Sequence, residues 1–168
     1  RYRAAYALGQ IGLDAVPSLI ESLRHESSRV REGSARAIGW IDVESEGVVT
    51  ALIATLNDED DDVQLRVAEA LAQKSQASES LLVESLTGGS DRAGAGAAIA
   101  LSQITTQSQP TVDALFGAYG ESDGQTRAAI LVALIRSNAD RGQLVPMIAS
   151  SLTSDSPSIR DAGMLGLR

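Results

Sequence analysis

The chain has 168 residues and 43% hydrophobic content, enough for a buried core, but only 3% aromatic residues, so that core must be built from Ala, Leu, Ile and Val. A formal net charge of −8 argues against a broad nucleic-acid footprint, which needs clustered positive charge. The absence of cysteine removes any disulfide framework, thiolate nucleophile or cysteine-based metal site, and no apolar run approaches the ~18 residues that span a bilayer.

The first predicted element is a helix carrying Ala5-Tyr6-Ala7-Leu8. The same phrase, a small residue, any residue, Ala or a close substitute and a large aliphatic, returns along the chain. It reads Ala35-Arg36-Ala37-Ile38, Ala68-Glu69-Ala70-Leu71 and Ala98-Ile99-Ala100-Leu101, then Leu131-Val132-Ala133-Leu134 and Met164-Leu165-Gly166-Leu167. The aliphatic anchors at 8, 38, 71, 101, 134 and 167 lie 30 or 33 residues apart. A fixed period of this size marks a solenoid of stacked repeats.

Between successive phrases lies a second amphipathic segment. Val16, Leu19, Ile20 and Leu23 have helical spacing, as do Val49, Leu52, Ile53 and Leu56. Leu19, Leu52, Leu82, Leu115 and Ile148 continue this row, and Leu23, Leu56, Leu86, Tyr119 and Leu152 form another, four residues on. From each of the latter to the first apolar residue of the next helix is seven residues, reaching Val30, Val63, Ala93, Thr126 and Ile159. A constant short turn makes each unit a helical hairpin. Alanine in the second helix gives helix propensity without bulk, so second helices can stack closely. The prediction is an entirely helical array over 1–168, about five hairpins, beginning and ending inside a repeat, hence part of a longer array.

Two places depart from the repeat, Lys74 and the glycine-rich stretch that follows Gly88, and an acidic run lies between two helices. Lys74 stands where Ile11, Ile41 and Ile104 put a core aliphatic, and it is the only lysine among 14 basic residues. That bias fits equally a salt-adapted proteome and a GC-rich genome. The acids Asp58-Glu59-Asp60-Asp61-Asp62 lack the glycine and terminal glutamate of a calcium loop and read as a turn favouring the next helix N-terminus. Gly88-Gly89 and Asp91-Arg92-Ala93-Gly94-Ala95-Gly96 put glycines inside a helix at a cost of about 1 kcal/mol each, which predicts the weakest joint of the array. The single histidine, His25, reads as part of a solvated turn. No nucleophile and base are paired in a recognisable pattern, so no catalytic residue, metal ligand or cofactor is expected.

The segment Val30-Arg31-x-x-Ser34-Ala35-x-Ala37-Ile38-Gly39-x-Ile41 resembles the second helix of a HEAT-like repeat, of the variety named after phycobilisome lyases. Ala15-Val16-Pro17-x-Leu19-Ile20-x-x-Leu23 and Leu144-Val145-Pro146-x-Ile148 resemble its first helix. The resemblance implies an all-α fold, a right-handed α-solenoid of HEAT-like hairpins. It also implies a ladder of salt bridges between repeats. Arg1, Arg31, Arg127 and Arg160 occupy the arginine slot and Gln64 and Gly94 interrupt it. Asp58 and Glu121 occupy the acidic slot, which holds His25, Gly88 and Ser154 elsewhere.

In such stacks the second helices line the concave side. Counting from Val30, positions 0, 4, 5, 8 and 11 are expected in the core and positions 2, 3, 6 and 10 outward. The outward rows give the candidate partner-binding residues Tyr6, Arg36, Trp40, Arg66, Glu69, Ile99, Val132 and Leu165, with Ala95, Ala128, Ala129 and Ala162 beside the last three. The expected function is a non-catalytic scaffold in the cytoplasm that holds a protein or peptide partner, with no nucleic acid and no membrane. The alternative implied by the family name is a subunit of a bilin lyase or isomerase.

Overall fold

The computed structural model describes residues 12–167 except 44, 105, 106 and 123. Tyr6, Arg1 and the first Ala-x-Ala-Leu phrase lie outside the described residues. The described residues form a 3₁₀ turn at Gly12–Ala15 and ten α-helices, with no strand among them. The helices are α1 (Val16–Ser22), α2 (Ser28–Trp40), α3 (Glu46–Thr55), α4 (Asp61–Gln73), α5 (Ser75–Gly88), α6 (Asp91–Gln103), α7 (Gln109–Glu121), α8 (Gly124–Arg136), α9 (Arg141–Leu152) and α10 (Pro157–Leu165). None is long and apolar enough to cross a membrane.

Local chemistry starts these helices where the repeat requires. The Ser45 hydroxyl accepts from Val48 N–H, Asp60 from Asp62 and Val63 N–H, Ser90 from Ala93 N–H and Asp140 from Gly142 N–H. Each cap satisfies a backbone donor that has no partner inside the helix. Pro17, Pro110 and Pro157 sit in first turns, where the missing N–H costs nothing.

The chain divides into two compact units, one ending at Leu81 and the other beginning at Leu82, so the boundary falls inside α5. In the first unit α1 packs on α2 and α3 on α4, and the two second helices α2 and α4 stack on each other. In the second unit α8 lies between α6 and α10, with α7 and α9 as hairpin mates of α8 and α10. The alanine row is the reason second helices can meet. Ala37, Ala70, Ala100 and Ala133 are all buried, as are the anchors Ile38, Leu71, Leu101 and Leu134. A β-carbon on Gly39 would stand 3.4 Å from the Ala70 Cα, a measure of how near α2 and α4 approach.

Leu19, Leu52, Leu82, Leu115 and Ile148 are buried, as the period requires. The next row divides: Leu23 and Leu56 are buried, but Leu86, Tyr119 and Leu152 are half-buried. Val30, expected in the core, is 37% exposed, whereas Val63 at the same register is buried. The glycines of α6 lie in a largely buried helix. Gly94 to Ala98 and Ala100 to Ser102 are buried, so the small residues of this helix serve close packing.

Lys74 occupies its aliphatic slot as a buried side chain, 3% exposed. Its ammonium donates to the Ile41 carbonyl and, at 3.5 Å, to the Gly39 carbonyl at the end of α2. The methylene stem fills the core position while the charge meets the negative end of a helix dipole. In the second unit the exposed Arg136 likewise donates, at 3.1 Å, to the Ser102 carbonyl near the end of α6.

The arginine ladder has a single rung among the described residues. Arg31 holds Asp58 through two bonds of 2.6 and 2.7 Å, with side chains 11% and 7% exposed. The pairing with Asp58, opposed by burial, raises the Arg31 guanidinium above its ordinary value. Arg127 and Arg160 instead reach back to carbonyls of their own turns. For Arg127 the reason lies one hairpin further on, where the acidic slot holds Ser154 and so offers no carboxylate.

Candidate partner-binding surface

Four sequence-predicted residues come together in the first unit. Arg36 and Trp40 lie one turn apart on α2, and Arg66 and Glu69 lie one turn apart on α4, which stacks on α2. They line a pocket of about 210 Å³, with Ala35, Gly39, Ala70 and Gln73 as its remaining walls. Trp40 is 36% exposed. Small residues at Gly39 and Ala70 make the floor, because those are the positions where the two helices approach.

A chain of charges crosses this pocket. Arg36 pairs with Glu32 at 2.5 Å, and Arg66 pairs with Glu69 at 2.7 Å. The Arg66 Nε lies 3.5 Å from the same Glu32 carboxylate. The hydrogen bond to Glu69, against the effect of burial, raises the Arg66 guanidinium above its ordinary value, and Glu32 adds to it. Two arginines and two glutamates therefore alternate across α2 and α4, and the charges cancel. Sequence reasoning missed Glu32, although its spacing of four residues from Arg36 is a helical ion-pair signal.

The other three described candidates lie in the second unit, at one register position on the stacked helices α6, α8 and α10. Ile99 and Val132 are half-buried, and Leu165 is 40% exposed beside the exposed Met164. Ala95, Ala128 and Ala162, expected outward beside them, are buried instead. Helices that stack through small side chains turn those side chains toward one another, so the outward strip narrows to the large aliphatics. Tyr6 lies outside the described residues.

The His25 Nδ1 accepts from Ser27 N–H at 3.0 Å and so shapes its turn. Asp58 is taken by Arg31 and by Asp60 N–H, and Asp60 caps α4. A hydrogen bond from Ser28, with backbone donors of Val63 and Asp62, lowers the Asp60 carboxyl below its ordinary value. Among the described residues no group of three metal-ligating side chains is gathered.

Among solved structures, an engineered protein from a structural-genomics consortium has 21% identity. The match covers 98% of this chain and 89% of that one, with a TM-score of 0.50. A designed armadillo repeat protein in complex with the peptide (KR)4 is 15% identical over 99% of this chain and 91% of its own, with a TM-score of 0.49. No curated protein matches the chain. A family model described as HEAT repeats matches residues 1–72 and 49–135. That match is to HEAT repeats at large and does not single out the phycobilisome-lyase variety. It agrees with all-α hairpins whose alanine-lined second helices stack within each unit, and the chain belongs to the HEAT repeat family.

Proposed function

We propose that this HEAT-repeat chain is a non-catalytic scaffold that holds a protein or peptide partner on the outward side of its second helices. The observation that carries the reading is Trp40 on the rim of a pocket whose charged walls are already ordered. Ion pairs formed in the free protein lose little side-chain freedom when a partner binds, which lowers the cost of association. Tryptophan and arginine are the side chains most enriched where interface energy concentrates. The paired walls suit a neutral or mixed-charge segment that lays an apolar side chain against the indole. They suit an anionic pigment poorly, since Arg36 and Arg66 each carry a carboxylate already. The bilin lyase alternative therefore gains no support from this surface.

The test is cross-linking of the native protein in its own lysate, comparing wild type with Trp40→Ala and with Arg66→Ala. Both variants should keep their helical content and lose the same cross-linked partner. A folded Trp40→Ala that retains every partner of the wild type would sink the proposal.

A further inference from the structure

Each described hairpin has the same slot at the fourth residue of its second helix, and in four of the five its occupant reaches back to carbonyl groups of the preceding turn. Arg31 donates to the carbonyls of His25 at 3.0 Å and Glu26 at 3.1 Å. The Gln64 amide donates to Leu56 at 2.8 Å. Arg127 donates to Tyr119 at 3.1 Å and Gly120 at 3.3 Å. Arg160 donates to Ser154 at 2.6 Å and Asp155 at 3.0 Å. In the hairpin of α5 and α6 the slot holds Gly94, which has nothing to donate.

The rest of the slot is intact. A β-carbon on Gly94 would stand 3.5 Å from the Leu86 carbonyl, the counterpart of the Leu56 and Tyr119 carbonyls used in neighbouring hairpins. Nothing nearer obstructs it. Gly94 opens into a cleft of about 530 Å³ between the α5–α6 turn and the next hairpin. Across that cleft lies Glu121, five residues before Thr126, as Asp58 lies five residues before Val63. Asp58 is the acid that holds Arg31 in the corresponding cleft of the first unit, which is lined by Arg31, Asp58 and the same turn positions. Glu121 forms no ion pair among the described residues.

We propose that this cleft is a receptor for a guanidinium group, in which the arginine side chain of a partner peptide takes the place that Arg31 takes within the chain. A planar fork of donors meets a carboxylate and backbone carbonyls together, as a lysine ammonium cannot. The site lies in the second unit and does not depend on the Trp40 surface.

Amide chemical shifts of the whole chain test it, titrated with N-acetyl-argininamide, with N-acetyl-lysinamide and with a short peptide containing one arginine. The argininamide should give saturable shifts at Gly89, Ser90, Gly94 and Ser122, with an affinity on the order of millimolar as befits a single exposed group, and lysinamide should bind more weakly. Glu121→Gln should lose these shifts while keeping the wild-type spectrum elsewhere. Gly94→Arg, which supplies the missing side chain in cis, should lose them and melt at a higher temperature. Tighter binding of the peptide than of argininamide supports a partner's arginine as the ligand, and equal or weaker binding overturns that source. Shifts that never saturate, or that persist unchanged in Glu121→Gln, overturn the site itself, whether or not Gly94→Arg folds.

Discussion

Lys74 shows how a charged residue fits a core position when its head has somewhere to go. The spacing of Ile41 and Ile104 marks the slot as apolar, and that much is readable from the period alone. The chain cannot announce that the Ile41 and Gly39 carbonyls await the ammonium, because they belong to another hairpin. Lys74→Ala should lose the buried stem and leave the α2 carbonyls without this donor, destabilising by roughly 2–4 kcal/mol in chemical denaturation. Lys74→Met keeps the stem and should cost less than the alanine change. Asp60 makes a prediction about acid. Its folded carboxyl titrates below the ordinary aspartate value, near 3.9, mainly through Ser28. Its contribution is therefore present above that value and is lost as pH falls through the depressed folded one. Asp60→Asn preserves an N-cap and should flatten the fall in the denaturation midpoint as pH drops below ~3.9. An unchanged acid slope would show that Asp60 plays no part in it.

At the scale of the helix, small residues decide the spacing. Gly163 in α10 faces Ser151 of α9 so closely that a β-carbon would run into the serine hydroxyl, which donates to the Ile148 carbonyl. Gly163→Ala should destabilise by about 1–3 kcal/mol, as overpacking does. The cost should shrink when Ser151→Ala removes the hydroxyl first, a coupling that a double-mutant cycle measures. The glycines of α6 act in the same way. Local propensity makes α6 the weakest helix, but eight of its residues are buried, against Leu144, Ile148 and Ser151 in α9. Hydrogen exchange should therefore be slower in α6 than in α9, since protection follows burial and packing. Faster exchange in α6 would mean that propensity outweighs packing here.

For the molecule as a whole, stability rests on contacts between neighbouring repeats, because no hairpin buries its apolar face alone. Leu101 is fully buried in α6, which stacks on α8, and Leu101→Ala should cost roughly 2–5 kcal/mol in thermal or chemical denaturation. The outward aliphatics should behave differently from one another. Leu165→Asp, at a 40% exposed site, should barely move the melting temperature, whereas Val132→Asp, half-buried on α8, should lower it. Equal losses from both would place Leu165 in the core.

The period of 30 or 33 residues, the seven-residue step through each turn and the alanine phrase determined the all-α hairpin architecture and the buried row from Leu19 to Ile148. Hydrophobic periodicity and helix propensity are local properties, and they are written in one dimension. Tertiary structure decided what depends on a residue from another repeat. It joined Arg36 and Arg66 through the unremarked Glu32, gave Arg31 its acid in Asp58 and turned Ala95, Ala128 and Ala162 inward. An ion pair needs two side chains within reach, and the direction a small residue faces depends on how near the next helix comes. Both are distances between helices, which stacking fixes and which the order of residues along one helix does not contain.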